Sequence, residues 1–284
     1  MPYTTLISVA DLVRNINSPD WLVVDCRFDL ANKQWGRAAY AESHIPGAIY
    51  AHLDDDLSAP IVPGVTGRHP LPSIEQFAAT LARWGIDERV QVVTYDDKGG
   101  MFAARLWWML RWLGHEKVAV LDGGWKHWLD AGQPVSADVP TRAARTFTPR
   151  PQLHLEASVD DVVAALNDPA IKLLDARGAD RFRGENETID PKAGHIPGAK
   201  SVPFMENLTP DGLFLDQEAL RTRFRALLGD TQSRDTICYC GSGVTACHNV
   251  LAMLHAGLGD ARLYAGSWSH WITDPDRPVA MGEE

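Results

Sequence analysis

Residues 236–254 read TICYCGSGVTACHNVLAML. The first four are a short apolar run typical of a buried strand, and from Cys247 onward apolar residues follow the i, i+3, i+4 and i+7 spacing of a helix face. Between them lies CGSGVT (240–245), whose glycines allow backbone N–H groups to turn toward a bound anion. The stretch therefore predicts a strand, a tight loop and a helix, with Cys240 opening the loop.

The same pattern occurs a second time at residues 92–110, VVTYDDKGGMFAARLWWML, where Asp96 stands in the place of Cys240. Other landmarks recur in the same order: VVDCR (23–27) as LLDAR (173–177), SHIPGAI (43–49) as GHIPGAK (194–200), and LDGGWKHW (121–128) as YAGSWSHW (264–271). In chain order, the copies lie 150, 151, 144 and 143 residues downstream. A repeat of this length predicts two half-chains that share one topology.

Each half alternates short apolar runs with helical segments. The strand-like runs are 21–25, 90–95, 118–121, 171–175, 235–239 and 261–264. This alternation predicts an α/β fold in which each half is a mainly parallel sheet covered by helices on both faces. Residues 134–154 contain four prolines and no periodicity, which indicates a linker. We therefore expect an N-terminal domain over 1–137, a linker over 138–153 and a C-terminal domain over 154–284.

Composition and charge exclude several classes of partner. The net charge is −10, which disfavours binding to nucleic acid or to an anionic membrane. The sequence lacks a signal-peptide pattern and any run of about 18 apolar residues, so no membrane association is expected. Four cysteines among 284 residues do not suggest a disulfide framework. A soluble protein in the reducing cytoplasm is the expectation.

Cys240 is the strongest candidate for a nucleophile. A thiol at a helix N-terminus, surrounded by backbone N–H groups, is stabilised as the reactive thiolate. Cys238 on the strand and Cys247 on the apolar helix face are expected to be packing residues. A zinc set of these three cysteines with His248 is disfavoured, because neighbouring residues 247 and 248 point about 100° apart on a helix.

The order of these elements resembles that of the tandem rhodanese-type sulfurtransferases, and the resemblance covers nearly the whole chain. It implies two rhodanese-like domains, of which the C-terminal one is catalytic and the N-terminal one, with Asp96 in place of the cysteine, is inactive. The loop is similar to that of 3-mercaptopyruvate sulfurtransferases. Thiosulfate-preferring members tend to carry basic residues where Gly241 and Ser242 stand.

The resemblance also implies the chemistry. The Cys240 thiolate takes the sulfur of 3-mercaptopyruvate or thiosulfate and becomes a persulfide, which then passes the sulfur to cyanide, a thiol or a thioredoxin-like protein. The loop residues that would stabilise the terminal sulfur are Gly241, Ser242, Gly243, Val244 and Thr245. No metal or organic cofactor is expected.

A small anionic donor requires a cation near the loop. The resemblance places a substrate-binding arginine at Arg181, whose guanidinium can donate two parallel hydrogen bonds to a carboxylate or sulfonate. Mercaptopyruvate-type relatives often have a second arginine before the H-I-P-G element, but Lys192 is the only cation between Arg183 and that element. We place 3-mercaptopyruvate first, on the loop sequence, and thiosulfate second.

Other functions and roles fit less well. A cysteine-based phosphatase needs an arginine six residues after the cysteine, and Ala246 stands there. A persulfide carrier or binding module that serves a particular protein acceptor is the alternative function. His44 and His195 occupy equivalent turns in the two halves, so we expect structural roles, with a catalytic part for His44 as the alternative.

Overall fold

Two separate sheets of short parallel strands organise residues 2–283, the part of the chain that the computed structural model describes. The chain divides into two units. The first contains residues up to Ala59, Leu71–Gln152 and Pro210–Phe214, and the second contains Pro60–Pro70, Leu153–Thr209 and the residues from Leu215 onward. Each unit has its own sheet and its own core.

The first unit has five strands in the order β1-β5-β4-β2-β3, and every recorded pairing between them is parallel. The strands are β1 (Leu6–Ile7), β2 (Trp21–Asp25), β3 (Ile49–Tyr50), β4 (Gln91–Tyr95) and β5 (Val118–Leu121). The helices are α1 (Val9–Asn15), α2 (Trp35–Glu42), α3 (Ile74–Arg83), α4 (Ala103–Trp112) and α5 (Gly124–Asp130).

The second unit repeats this arrangement with four strands in the order β7-β6-β8-β9, again paired in parallel. The strands are β6 (Lys172–Asp175), β7 (Lys200–Ser201), β8 (Thr236–Tyr239) and β9 (Arg262–Leu263). The helices are α6 (Val159–Ala165), α7 (Ala179–Arg183), α8 (Gln217–Leu228), α9 (Ala246–His255) and α10 (Ser267–Trp271), and short 3-10 turns cover 153–155, 204–207 and 233–235. The predicted α/β fold with two similar parallel-sheet domains is confirmed.

The central strand of each sheet leads directly to a buried helix. All residues of β4 and β8 are buried, as expected for strands covered on both faces. In α9 the residues from Ala246 to Met253 are buried, and in α4 only Arg111 is not. A loop between a buried strand and a buried helix has its two ends fixed by the core, so its backbone is held in one conformation.

The aspartate and the arginine of the repeated VVDCR and LLDAR motifs form a buried ion pair in each unit. Arg177 donates to both oxygens of Asp175 at 2.6–3.1 Å, and its guanidinium lies 4.9 Å from the ring centre of Trp268. In the first unit Arg27 makes the same contacts with Asp25. The ion pairs lie at the carboxyl ends of β2 and β6. A buried charge is tolerated only when it is paired, so each arginine compensates the charge of its aspartate.

The boundaries of the two units do not coincide with the linker expected over 138–153. Residues 138–152 belong to the first unit, where the backbone N–H of Arg145 donates to Ala82 at 3.0 Å and that of Gln152 to Trp112 at 2.7 Å. In addition, segment 60–70 belongs to the second unit and segment 210–214 to the first. Backbone hydrogen bonds hold the proline-rich stretch, even though it forms no helix or strand.

Candidate active site

Cys240 lies at the junction of β8 and α9, and 2% of its surface is exposed. Its backbone N–H donates to the hydroxyl of Ser267 at 3.0 Å, and its carbonyl accepts from the N–H of Trp268 at 2.9 Å. The next carbonyl, of Gly241, accepts from the N–H of Ser269, also at 2.9 Å. The start of α10 therefore clamps the cysteine loop from one side.

Ser267 is the polar neighbour of the thiol. Its hydroxyl oxygen lies 3.9 Å from Cys240 Sγ and 2.9 Å from the carbonyl oxygen of Tyr264. Because a hydroxyl has one hydrogen, it donates to only one of these acceptors at a time. Ser267 has φ 54°, and within residues 2–283 no other non-glycine residue has a positive φ. This strained conformation holds the hydroxyl between Cys240 and Tyr264.

The loop presents backbone donors beside the cysteine. Within the described chain, no acceptor pairs with the N–H groups of Gly241, Ser242, Val244 or Thr245, because they precede the first turn of α9. Gly243 has φ +75°, and a Cβ atom there would lie 2.3 Å from the carbonyl oxygen of Ala265. Glycine is therefore required for this loop, which can hold an anion with its N–H groups and with the positive end of the ten-residue helix α9.

The equivalent loop of the first unit binds an acidic side chain of the protein with its backbone N–H groups. The Asp96 carboxylate is fully buried and accepts four backbone N–H groups, from Lys98 at 2.8 Å, Gly100 at 2.9 Å, Phe102 at 2.7 Å and Ala103 at 2.8 Å. Burial raises the pKa of Asp96 above its usual range, and these four hydrogen bonds oppose that rise. This geometry shows that the repeated loop is suited to a negatively charged group.

Arg181 lies beside the cysteine loop, as the resemblance implied. A Cβ atom on Gly241 would lie 3.6 and 3.7 Å from the two terminal nitrogens of Arg181. The guanidinium donates to both oxygens of Glu187 at 2.8–3.2 Å and to Asp190 at 3.1 Å. With 18% of its side chain exposed, Arg181 is fixed in position at the edge of the loop.

Arg68 is a second arginine at this site, and no sequence motif identifies it. A Cβ atom on Gly241 would lie 2.8 Å from Arg68 Nη2. The guanidinium pairs with Asp190, and the backbone N–H donates to the hydroxyl of Ser269 at 3.1 Å. The change in repeat spacing from 151 to 144 residues marks extra chain in the first half between residues 49 and 92, but it does not point to Arg68.

His69, the next residue, was also missed. Its Nδ1 lies 2.7 Å from the hydroxyl of Ser242, and both residues are buried. The pair is 173 residues apart in the chain, so no local pattern could reveal it. His69 orients the Ser242 side chain two positions after Cys240, which places a titratable group next to the loop.

Glu187 holds the arginine side of the site together. It accepts from Arg181, from Arg177 at 3.4 Å and from the backbone N–H groups of Ile189 and Asp190 at 2.9 and 3.0 Å. Burial acts to raise its pKa, but the hydrogen bonds from Arg181 and from the two backbone groups outweigh this effect and hold the pKa below its ordinary value of 4.5. Glu187 is therefore ionised at neutral pH.

The remaining cysteines have packing positions. Cys238 is fully buried on β8, and burial strongly raises the pKa of its thiol. The Cys247 thiol contacts the carbonyl oxygen of Gly243 at 3.3 Å. Within residues 2–283 no group of three or more His, Cys, Asp or Glu side chains is arranged to hold a metal ion. Ala246 is the first residue of α9, so the loop has no arginine at the position that a cysteine-based phosphatase requires.

Three other candidates occupy structural or peripheral positions. His44 contacts the carbonyl oxygens of Tyr40 at 2.7 Å and of Asp138 at 3.1 Å, so both of its ring nitrogens are used in the first unit. His195 contacts the carbonyl oxygen of Phe182 at 2.8 Å, as expected for a turn residue. Lys192 is exposed, and its carbonyl accepts from the indole N–H of Trp268.

The fold and the site define a thiol-based enzyme built from a repeated α/β domain, and comparison with known proteins gives its family. The model of the rhodanese-like domain matches residues 8–131 and 158–274. The chain is 49% identical over 284 residues to a Pseudomonas aeruginosa protein named "Probable 3-mercaptopyruvate sulfurtransferase", with 100% of both chains covered. It is 33% identical to the thiosulfate sulfurtransferase of Mus musculus, covering 99% of this chain and 97% of the other.

A solved structure agrees with these relatives. SseA from Escherichia coli, described as a 3-mercaptopyruvate sulfotransferase with the rhodanese fold, has a TM-score of 0.81 and 30% identity, and the match covers 94% of this chain and 100% of SseA. The chain belongs to the rhodanese family and is a tandem-domain sulfurtransferase. The resemblance identified from the repeated motifs is thereby confirmed. None of the helices within residues 2–283 has the length and apolar character needed to cross a bilayer.

Proposed function

We propose that this enzyme transfers sulfur from 3-mercaptopyruvate to a thiophilic acceptor through a persulfide on Cys240. The observation that carries the proposal is the placement of Arg68 and Arg181 beside Gly241, the residue that follows Cys240. We expect a donor with an anionic group at one end and a transferable sulfur at the other to place its anionic group at these arginines. The relatives named above act on donors of this class.

The first half-reaction begins with the Cys240 thiolate. It attacks the sulfur of 3-mercaptopyruvate, the S–S bond forms, and the C–S bond breaks with its electron pair leaving on carbon as the enolate of pyruvate. The enolate takes one proton to give pyruvate, and the persulfide loses the former thiol proton of the donor. The unpaired N–H groups of Gly241, Ser242, Val244 and Thr245 then stabilise the negative charge on the terminal sulfur.

The donor carboxylate is held by the arginines. A guanidinium binds a carboxylate through two parallel N–H donors, and Arg181 is fixed for this purpose by Glu187. Gly241 and Ser242 add no positive charge within the loop, which favours 3-mercaptopyruvate over thiosulfate. Gly243 permits the loop conformation, and the hydrogen bond between His69 and Ser242 keeps the Ser242 side chain in one orientation beside the thiol.

The second half-reaction passes the sulfur to cyanide or to a thiol, including that of a thioredoxin-like protein. The acceptor thiolate attacks the terminal sulfur, and Cys240 leaves as the thiolate, which restores the enzyme. In this proposal the N-terminal domain (1–137) is inactive because a carboxylate cannot carry sulfur, 138–153 joins the domains, and the C-terminal domain (154–284) is catalytic. We also propose a cytoplasmic location.

A persulfide carrier is the second candidate, and the burial of Cys240 favours it over a freely exchanging thiol. Only 2% of the residue is exposed, so the persulfide would be shielded until a fitting acceptor arrives. The two functions share the first half-reaction. They differ in whether cyanide and small thiols turn the enzyme over rapidly.

Single-turnover mass spectrometry tests the proposal. The enzyme is mixed with 3-mercaptopyruvate or with thiosulfate, and the peptide that contains Cys240 is examined for the gain of one sulfur. We expect Cys240→Ser to show no gain, and the matched variant Cys247→Ser to gain sulfur like the wild type. Sulfur found on another residue, or a labelled Cys240→Ser protein, contradicts the proposed nucleophile.

A further inference from the structure

Asp190 bridges the two arginines of the site. One of its carboxylate oxygens pairs with Arg68, and the other accepts from Arg181 at 3.1 Å. Only 2% of the Asp190 side chain is exposed, against 25% for Arg68 and 18% for Arg181. A carboxylate of the protein thus occupies N–H donors of both guanidinium groups that face Gly241.

The charges around this bridge are balanced. Arg68, Arg177 and Arg181 form one connected network with three carboxylates, those of Asp175, Glu187 and Asp190. Of these, Asp175 pairs with Arg177, and Glu187 pairs with Arg177 and Arg181. Asp190 differs because it contacts both Arg68 and Arg181, the two cations next to the loop.

One buried carboxylate beside the two arginines disfavours the binding of a dianion more than that of a monoanion. A monoanion brings one negative charge toward Asp190, and a dianion brings two, so the repulsion from the Asp190 carboxylate doubles. This repulsion is weakly screened, because the carboxylate is almost fully buried. At neutral pH 3-mercaptopyruvate carries one negative charge on its carboxylate, whereas thiosulfate carries two.

We propose that Asp190 is the specificity-determining residue of the donor site: its carboxylate competes with the incoming anion for Arg68 and Arg181, and it makes the site favour a monoanionic carboxylate over a dianion. The inference rests on the proposed function and adds the origin of donor preference to it. An anionic donor binds by taking guanidinium N–H donors that Asp190 holds in the structure described here.

The test compares Asp190→Asn with Glu185→Gln at pH 7, with cyanide as the acceptor. Glu185 lies in the same segment, and its replacement by glutamine removes the same charge. Its side chain is exposed and pairs with Arg183 outside the site. We expect Asp190→Asn to raise the ratio of kcat/KM for thiosulfate to that for 3-mercaptopyruvate by about tenfold, mainly through KM, because one unit of repulsion near an arginine pair is of this order. Glu185→Gln should leave the ratio unchanged.

A second variant and a binding measurement make the outcome decisive. Asp190→Ala removes the charge without adding an amide N–H₂ group, and thermal unfolding shows whether either variant is damaged. Calorimetric titration of pyruvate and of sulfate into Cys240→Ser, with and without Asp190→Ala, measures the same preference without turnover. Stronger sulfate binding relative to pyruvate supports the proposal, and an unchanged or lowered relative affinity overturns it.

The failure of this inference is distinguishable from the failure of the proposed function. If neither donor places sulfur on Cys240 in the wild-type enzyme, the proposed function is wrong, and the two titrations still test Asp190. If the wild type forms the persulfide but both Asp190 variants change the two donors by equal factors, Asp190 has only a structural role.

Discussion

Replacing Asp96 with asparagine should destabilise the first unit while leaving sulfur transfer nearly intact. The amide has the shape of the carboxylate, but only its oxygen accepts hydrogen bonds. Two of the four backbone N–H groups that Asp96 now binds would then face the amide N–H₂ group, donor against donor. The loop of the first unit would keep its position but lose half of its satisfied donors.

The size of the effect follows from the burial of the site. A hydrogen bond to a charged group contributes about 1.5–3 kcal/mol, and two are lost. The variant regains part of this loss, because it no longer buries a carboxylate whose pKa is raised by burial. The net loss should be about 2–4 kcal/mol, equivalent to roughly 30- to 1,000-fold in the opening equilibrium.

Hydrogen exchange measured by mass spectrometry reports the two units separately. Peptides over 91–112 should exchange faster in Asp96→Asn by the factor above, and peptides over 236–255 serve as the internal control. Asp130→Asn, at an exposed position on α5, is the matched variant, and it should leave the exchange rates unchanged. An unchanged exchange rate over 91–112 would refute the view that the carboxylate fills a demanding anion site. A collapse of turnover in Asp96→Asn, or in Asp96→Ala, would show that the first loop takes part in catalysis.

Three further predictions concern the second unit. Arg181→Ala should raise KM for the donor about 10- to 100-fold in steady-state assays, because a bidentate charged contact is lost. Arg183→Ala removes a more exposed guanidinium and should leave KM unchanged. Equal KM values for the two variants would show that the donor binds elsewhere. Gly243→Ala should slow persulfide formation in single-turnover assays at least about tenfold, because the new Cβ would lie 2.3 Å from a carbonyl oxygen. Gly212 has a similar φ, +87°, but a Cβ there would have no atom within 4 Å. Gly212→Ala should therefore form the persulfide at the wild-type rate. Because the pKa of Glu187 lies below 4.5 in the folded protein, its stabilising effect is complete above pH 4.5 and is lost as pH falls through the lowered value. Denaturation followed from neutral to acid pH should therefore show a smaller acid loss in Glu187→Gln than in the wild type, and parallel curves would contradict this assignment.

The sequence was sufficient for the features that repeat locally. The strands predicted at 21–25 and 118–121 have those bounds in the structure, and the loop around Cys240 was found from its glycines and its copy. Three of the two-residue strands, β1, β3 and β7, escaped prediction, because two residues are too short to show a periodicity, whereas β9 was found within the strand-like run 261–264. Their pairing depends on neighbours that are distant in the sequence.

The site itself was only partly predictable. Arg181 could be named because the resemblance to the family places a substrate-binding arginine four residues after the LLDAR motif. Arg68 and His69 could not, since their partners Asp190 and Ser242 are 122 and 173 residues away and no repeated element marks them. The ion pairs that neutralise both arginines are likewise a property of the folded chain, because each of these side chains, taken alone, reads as an ordinary surface charge.

Segment 60–70 belongs to the second unit, so the residues around the thiol do not all come from the C-terminal half of the sequence. A gene fragment starting at residue 154 would encode the thiol and its loop but neither Arg68 nor His69. The N-terminal half of the sequence, which carries Asp96, therefore supplies two residues of the proposed site, and we expect the C-terminal half to need them. Substitutions in that half are expected to alter the use of the sulfur donor, although its loop lacks the cysteine. A comparison of relatives by the sequence of the cysteine loop alone would miss these differences in donor use.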